Sequence, residues 1–172
     1  PILGGVLRLN DAEHRITLLA MSNRGWRSLT EIISRGFIEG QQLSIPCVQK
    51  PWILEQADDL IVLLGQHSDV GKMLCSSNPQ KAEPLLEEWI AKFGNRVYFS
   101  LCRTQRPQEE EFIQQALKLA EKYQIGVVAQ NDIHFIRPED YEAHEARVCI
   151  ADGYVLADQR RPRLYSQEQY FK

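Results

Sequence analysis

Residues 78–130 read NPQKAEPLLEEWIAKFGNRVYFSLCRTQRPQEEEFIQQALKLAEKYQIGVVAQ, and this stretch decides the fold. Ala82, Leu85, Leu86, Trp89, Ile90 and Phe93 recur at i, i+3, i+4 and i+7, which predicts an amphipathic helix over residues 78–93. Pro84 lies inside that pattern, so the helix either starts late or kinks there. Gly94 and Asn95 stop it, and residues 97–101 then read as a strand. A second amphipathic helix is predicted over residues 108–123, with Phe112, Ile113, Ala116, Leu117, Ala120 and Tyr123 inward. Its acidic residues Glu109, Glu110 and Glu111 sit at the N-terminal end, where the helix dipole favours negative charge. Residues 127–130 complete the rhythm as a short buried strand. Strand and helix alternating in this way imply parallel strands joined by crossover helices, an α/β layered sheet or barrel. In such folds the chemistry sits at the C-terminal ends of the strands.

Outward from this centre the elements are shorter. Residues 2–9 and 15–20 read as strands rich in Ile, Val and Leu, with Asn10 and Asp11 marking a turn between them. Residues 26–38 read as a helix with Trp26, Leu29, Ile33 and Phe37 on one face, weakened at its end by Gly36 and Gly40. Residues 41–50 read as polar loop, and Pro51 opens a short helix through residue 56. A strand follows at 60–64, then a helical turn at 69–76. Pro138 opens a third long helix, through about residue 151, stopped near Gly153. Ser166 is placed to cap a last short helix. The chain opens on PILGGVLRL without a Met and closes on SQEQYFK, so it is expected to be a fragment of something longer.

The balance of 44% hydrophobic and 25% charged residues over 172 positions is that of an ordinary globular domain. A net charge of -3 argues against a module built to grip a phosphate backbone. Apolar runs are far too short to span a bilayer as a helix, so no membrane partner is expected. Cys47, Cys75, Cys102 and Cys149 are widely spaced and form no CxxC pair, which speaks for reduced thiols, a cytoplasmic setting and no zinc ribbon.

The best candidate for chemistry is Gln130-Asn131-Asp132-Ile133-His134, directly after a strand. Two residues apart in extended backbone, Asp132 and His134 point to one face, where a carboxylate and an imidazole can ligate one divalent ion. Two ligands do not make a site; the alternative is that Asp132 turns the chain before Pro138 and His134 bonds a backbone carbonyl. His14 reads as solvated and His67, in Gly65-Gln66-His67-Ser68-Asp69, as a loop residue. His144 reads as packed or hydrogen-bonded on its helix. Glu109, Glu110 and Glu111 read as solvated helical carboxylates, and Arg160, Arg161 and Arg163 as a solvated loop or an anchor for a neighbour. The chain contains no GxSxG elbow, P-loop or GxGxxG motif, and no residue is assigned a catalytic role.

Six segments in order resemble the PHP domain of the bacterial DNA polymerase III alpha subunit. They are PILGG (1–5), ITLLAMSNRGWRSLTEIIS (16–34), DDLIVLLGQHSDVGKML (58–74), RVYFSLCRTQRPQEEEF (96–112), VVAQNDIHFIRPEDYEAHEARVCIADGYVLAD (127–158) and RPRLYSQEQYFK (161–172). The resemblance implies a PHP-type distorted β/α barrel with mainly parallel strands. Residues 1–172 would be its larger, C-terminal part, a single domain whose tail from about residue 154 leads toward the next. The family's opening His-x-His strand is absent.

Of the family's metal ligands, Asp132 and His134 match the last two. Val6, Arg15 and Gln66 stand where the family carries an acid, a histidine and, in many members, a cysteine. Valine has no donor atom and arginine is permanently cationic, so the site is expected to be vestigial, with no metal in this fragment. A guanidinium, that of Arg15, could then pair with Asp132 in place of the ion. The resemblance further implies a parent that extends DNA from dNTPs with Mg2+ held outside this chain and contacts DNA through other domains. This module would be a non-catalytic scaffold docking the proofreading exonuclease subunit among the other polymerase III subunits. A metal-dependent phosphoesterase or 3'-exonuclease is the alternative, and an unrelated α/β binding domain a third.

Overall fold

The computed structural model describes residues 3–10 and 14–172; Asp11 of the expected turn lies outside them. The chain divides into two compact units, Pro1–Leu101 with Glu111–Val128, and Cys102–Glu110 with Ala129–Lys172.

The first unit is built on one five-stranded sheet. Strands β1 (Leu3–Arg8) and β2 (Arg15–Ala20) form an antiparallel hairpin, with Asn10 at its turn in left-handed backbone (φ 60°). Helix α1 (Asn23–Ile38), the small strands β3 (Gln41–Gln42) and β4 (Ile45–Pro46), and helix α2 (Lys50–Glu55) lead to β5 (Leu60–Leu64), antiparallel to β2. From there the expected rhythm holds. Helices α3 (Asp69–Leu74) and α4 (Ala82–Phe93) carry the chain to β6 (Val97–Leu101), parallel to β5, and α5 (Glu109–Tyr123) carries it to β7 (Gly126–Ala129) at the sheet edge. The α/β class and its crossover helices are as the sequence pattern required. Across their crossover β5 and β6 pair in parallel, and the antiparallel ladders sit at the hairpin end, where two helices intervene between β2 and β5.

Alternation explains the strands: Leu60, Val62 and Leu64 of β5 are fully buried while Ile61 and Leu63 are half-buried. Helix α4 buries Ala82, Leu86, Trp89 and Phe93, one stripe at helical spacing. Pro84 falls in its first turn, where a missing N–H costs nothing, so the helix starts late and does not kink.

Five expectations are corrected here. Helix α1 starts earlier, because Ser22 caps it by accepting from the N–H groups of Arg24 and Gly25. Its buried face is Gly25, Leu29, Ile32 and Gly36, leaving Trp26 39% and Phe37 56% exposed. The two glycines rotate the helix onto its neighbours: a Cβ on Gly25 would stand 2.1 Å from the Asp59 carbonyl oxygen. Residues 41–46 are a minute hairpin, turned by Leu43 (φ 50°) and Ser44 (φ 66°), two residue types that do not announce left-handed backbone. In α5, Leu117 is 46% exposed and Leu119 is buried instead. Strand β7 is mostly exposed, as its place at the sheet edge dictates.

The second unit holds helix α6 (Tyr141–Asp152), entered through a 3-10 turn at Pro138–Asp140 and ended by Gly153 in left-handed backbone (φ 74°), as expected. The last short helix expected at Ser166 is absent. Gln169 is fully buried and its Oε1 accepts the Ser166 N–H, while Phe135 and Tyr170 form a parallel bridge, so the tail is a strap with a single turn at 167–168 in place of the helix. Arg161 is not a solvated loop residue; its guanidinium meets Glu145 of α6 at 2.5 Å with both side chains buried.

Candidate functional site

The site is built around the loop after β7. His134 donates its backbone N–H to the Gln169 carbonyl (2.9 Å), and Phe171 donates to the Phe135 carbonyl (3.1 Å), so the strap lies alongside residues 134–135. The extended geometry brings Asp132 and His134 together as their spacing predicted, with Oδ2 of Asp132 3.3 Å from Nε2 of His134. The same oxygen accepts a hydrogen bond from Nε2 of Gln169 (2.9 Å) and stands 3.6 Å from the Arg106 guanidinium. Asn131 donates to the Tyr170 carbonyl at 2.6 Å.

Arg106 is placed by a buried acid. Glu109 accepts the Thr104 N–H (2.7 Å), the Thr104 hydroxyl (2.5 Å) and the Arg106 N–H (3.1 Å). It is 7% exposed, which corrects its reading as a solvated carboxylate: three donors converge on it in the tight loop 104–109. Behind His134 lies an aromatic cluster. The Tyr165 ring stands edge-on to His134 (4.6 Å) and to His144 (4.5 Å), and His144 also meets Phe135 (5.5 Å). His144 is packed as expected; burial first, then the Arg147 guanidinium and His134, hold its imidazole below the usual histidine range, so the neutral form is favoured. Burial likewise pushes the Cys102 thiol up, which makes it a poor nucleophile.

The other expected positions lie in the first unit. Val6 in β1 is 62% exposed and faces Thr17 across the hairpin. Arg15 begins β2, exposed, and donates its backbone N–H to the His67 carbonyl at 2.7 Å. Gln66 is half-buried in the turn before α3. A guanidinium does stand beside Asp132, and it is supplied by Arg106.

A divalent ion fits the Asp132 loop poorly. Among the described residues no group of three or more His, Cys, Asp or Glu side chains is arranged to hold a metal. Oδ2 of Asp132 already faces an amide N–H and a permanent cation. Sequence reasoning missed Arg106, Gln169 and Tyr165. Thr104 and Glu109 lie five residues apart, not the three of a capping box, so no local signal marked the loop that places Arg106.

The PHP domain family profile matches residues 1–104. The chain belongs to the PHP domain family. The Asp132 loop lies beyond that match but within the alignments to longer relatives. All of this chain is 42% identical to part of the DNA polymerase III subunit alpha of Pseudomonas fluorescens and 41% identical to part of that of Vibrio cholerae. Over 95% of its length it is 38% identical to the Escherichia coli subunit. The chain spans about 15% of the length of these curated relatives. Among the described residues, no helix of this PHP chain is long and apolar enough to cross a membrane.

Proposed function

We propose that the chain is a non-catalytic PHP scaffold of a cytoplasmic DNA polymerase III alpha subunit, one that docks the proofreading exonuclease subunit. DNA-templated synthesis from dNTPs, with its Mg2+ and its DNA contacts, belongs to parts of the polymerase outside this chain. The identity to named alpha subunits over the whole chain supports the parent. The observation that carries the inert reading is the state of Asp132, whose carboxylate is engaged by Gln169, Arg106 and His134. Val6 and Arg15 add no ligand, the first lacking a donor atom and the second repelling cations. A PHP module that keeps no hydrolytic metal centre leaves proofreading to a separate subunit.

Two measurements test this. Metal analysis of the purified chain, followed by Mn2+ titration calorimetry, is expected to find no stoichiometric ion. Stoichiometric Mn2+ together with 3'-exonuclease activity would replace the scaffold by the metal-dependent hydrolase. Calorimetric titration of the full alpha subunit with the exonuclease subunit, with and without this module, is expected to show that binding requires it; equal binding without it would refute the docking role.

A further inference from the structure

The C-terminal strap, residues 161–171, is held to the rest of its unit by polar side chains out of proportion to its length. Gln169 is fully buried and both ends of its amide are used: Oε1 accepts the Ser166 N–H at 2.8 Å and Nε2 donates to Asp132 at 2.9 Å. The Ser166 hydroxyl donates to the Thr104 carbonyl, on the loop that Glu109 fixes. Asn131 reaches the Tyr170 carbonyl, and Arg161 closes its buried ion pair with Glu145.

The orientation of the Gln169 amide decides what Asp132 can do. A backbone N–H at Ser166 can only be met by the amide oxygen, so the amide NH2 must point at Asp132. An NH2 group carries positive partial charge and satisfies a carboxylate. Aimed at a site holding a divalent ion, it would be repelled. A cation on Oδ2 and the seated Gln169 amide therefore exclude one another.

From this geometry we propose that Asp132 is the anchor of a strap latch. Gln169 and Arg106 stand at its carboxylate where a cation would otherwise be needed, and the closed strap packs Tyr165 edge-on against His134 and His144. The proposal deepens the inert-scaffold reading and rests on it: the carboxylate persists as a positioning residue for the segment at 165–171.

Hydrogen–deuterium exchange on the whole chain tests the latch through two amides it should protect, His134 and Phe171. A hydrogen bond to a charged group is the link removed, so Asp132→Ala and Gln169→Ala are each expected to speed exchange at both amides by roughly 10- to 100-fold. The double variant should exchange no faster than the more affected single one. Val62 and Leu64 in β5 serve as controls and should not change. If Asp132→Ala loses protection in β5 as well, Gln169→Ala and the milder Asp132→Asn carry the test. Protection at His134 and Phe171 within about twofold of wild type in these variants overturns the latch. So does Mn2+ that binds the wild-type chain through Asp132 without changing exchange at those amides. Stoichiometric metal with the strap opened would instead remove the inert-scaffold reading and leave the mutual exclusion standing, so the two failures are distinguishable.

Discussion

Lys50→Met is the sharpest test of how the first unit is held together. Lys50 is 7% exposed, and its ammonium lies 3.0 Å from Oδ2 of Asp69, 2.7 Å from Glu88 and 3.3 Å from the Leu85 carbonyl oxygen. It also stands 4.8 Å from the Trp89 ring centre. The Asp69 carboxylate accepts the Trp89 indole N–H at 3.2 Å and its own helix's Val70 N–H at 2.9 Å. Methionine replaces the aliphatic stem of Lys50 but leaves Asp69 charged and largely out of water. Removing one partner of a buried pair costs about 3–5 kcal/mol. Asp69 keeps two neutral donors and Glu88 is 54% exposed, so the lower end applies, about 3 kcal/mol. For a chain of this size that corresponds to a fall in Tm of roughly 6–12 °C. Urea unfolding followed by tryptophan fluorescence reads it directly, because Trp89 is fully buried against the network. In a double-mutant cycle, Asp69→Asn in the Lys50→Met background should cost little more. A Lys50→Met loss below about 1 kcal/mol would refute the reasoning and mark the pair as no stronger than a surface ion pair.

Other outcomes follow from the same structure. Glu109→Gln replaces an acceptor of three hydrogen bonds by an amide with one oxygen and should destabilise the second unit by about 1.5–3 kcal/mol, measured by urea unfolding. Gly25→Ala forces a Cβ against the Asp59 carbonyl and should cost about 1–3 kcal/mol by thermal unfolding, with α1 displaced. Glu83 titrates below the usual carboxylate range, because it accepts hydrogen bonds from Lys122 and then Tyr123. A depressed carboxylate contributes stability above its unfolded value. The Tm difference between wild type and Glu83→Gln should therefore be present at neutral pH and vanish as pH falls through the acid range below the ordinary glutamate value. A difference that grew on acidification would contradict the assignment.

The amphipathic periods of α4 and α5 were legible in the sequence because burial on one side of a helix leaves a repeating apolar stripe. The face of α1 was not, since the residues that approach its neighbours most closely, Gly25 and Gly36, have no side chain to register in such a pattern. Asp132 and His134 were legible as a pair because a two-residue spacing in extended backbone fixes a common face. Arg106, 26 positions before Asp132, and Gln169, 37 after it, were not.

Local rules acting within a turn or two of chain thus settled the α/β class and most helix limits. Tertiary structure alone decided which cationic group meets Asp132, that Glu109 is buried, and that the tail runs as a strap instead of a helix. The physical reason is range. Periodicity and capping act between residues a few positions apart, whereas a buried carboxylate takes whichever donors the folded chain brings within hydrogen-bonding distance.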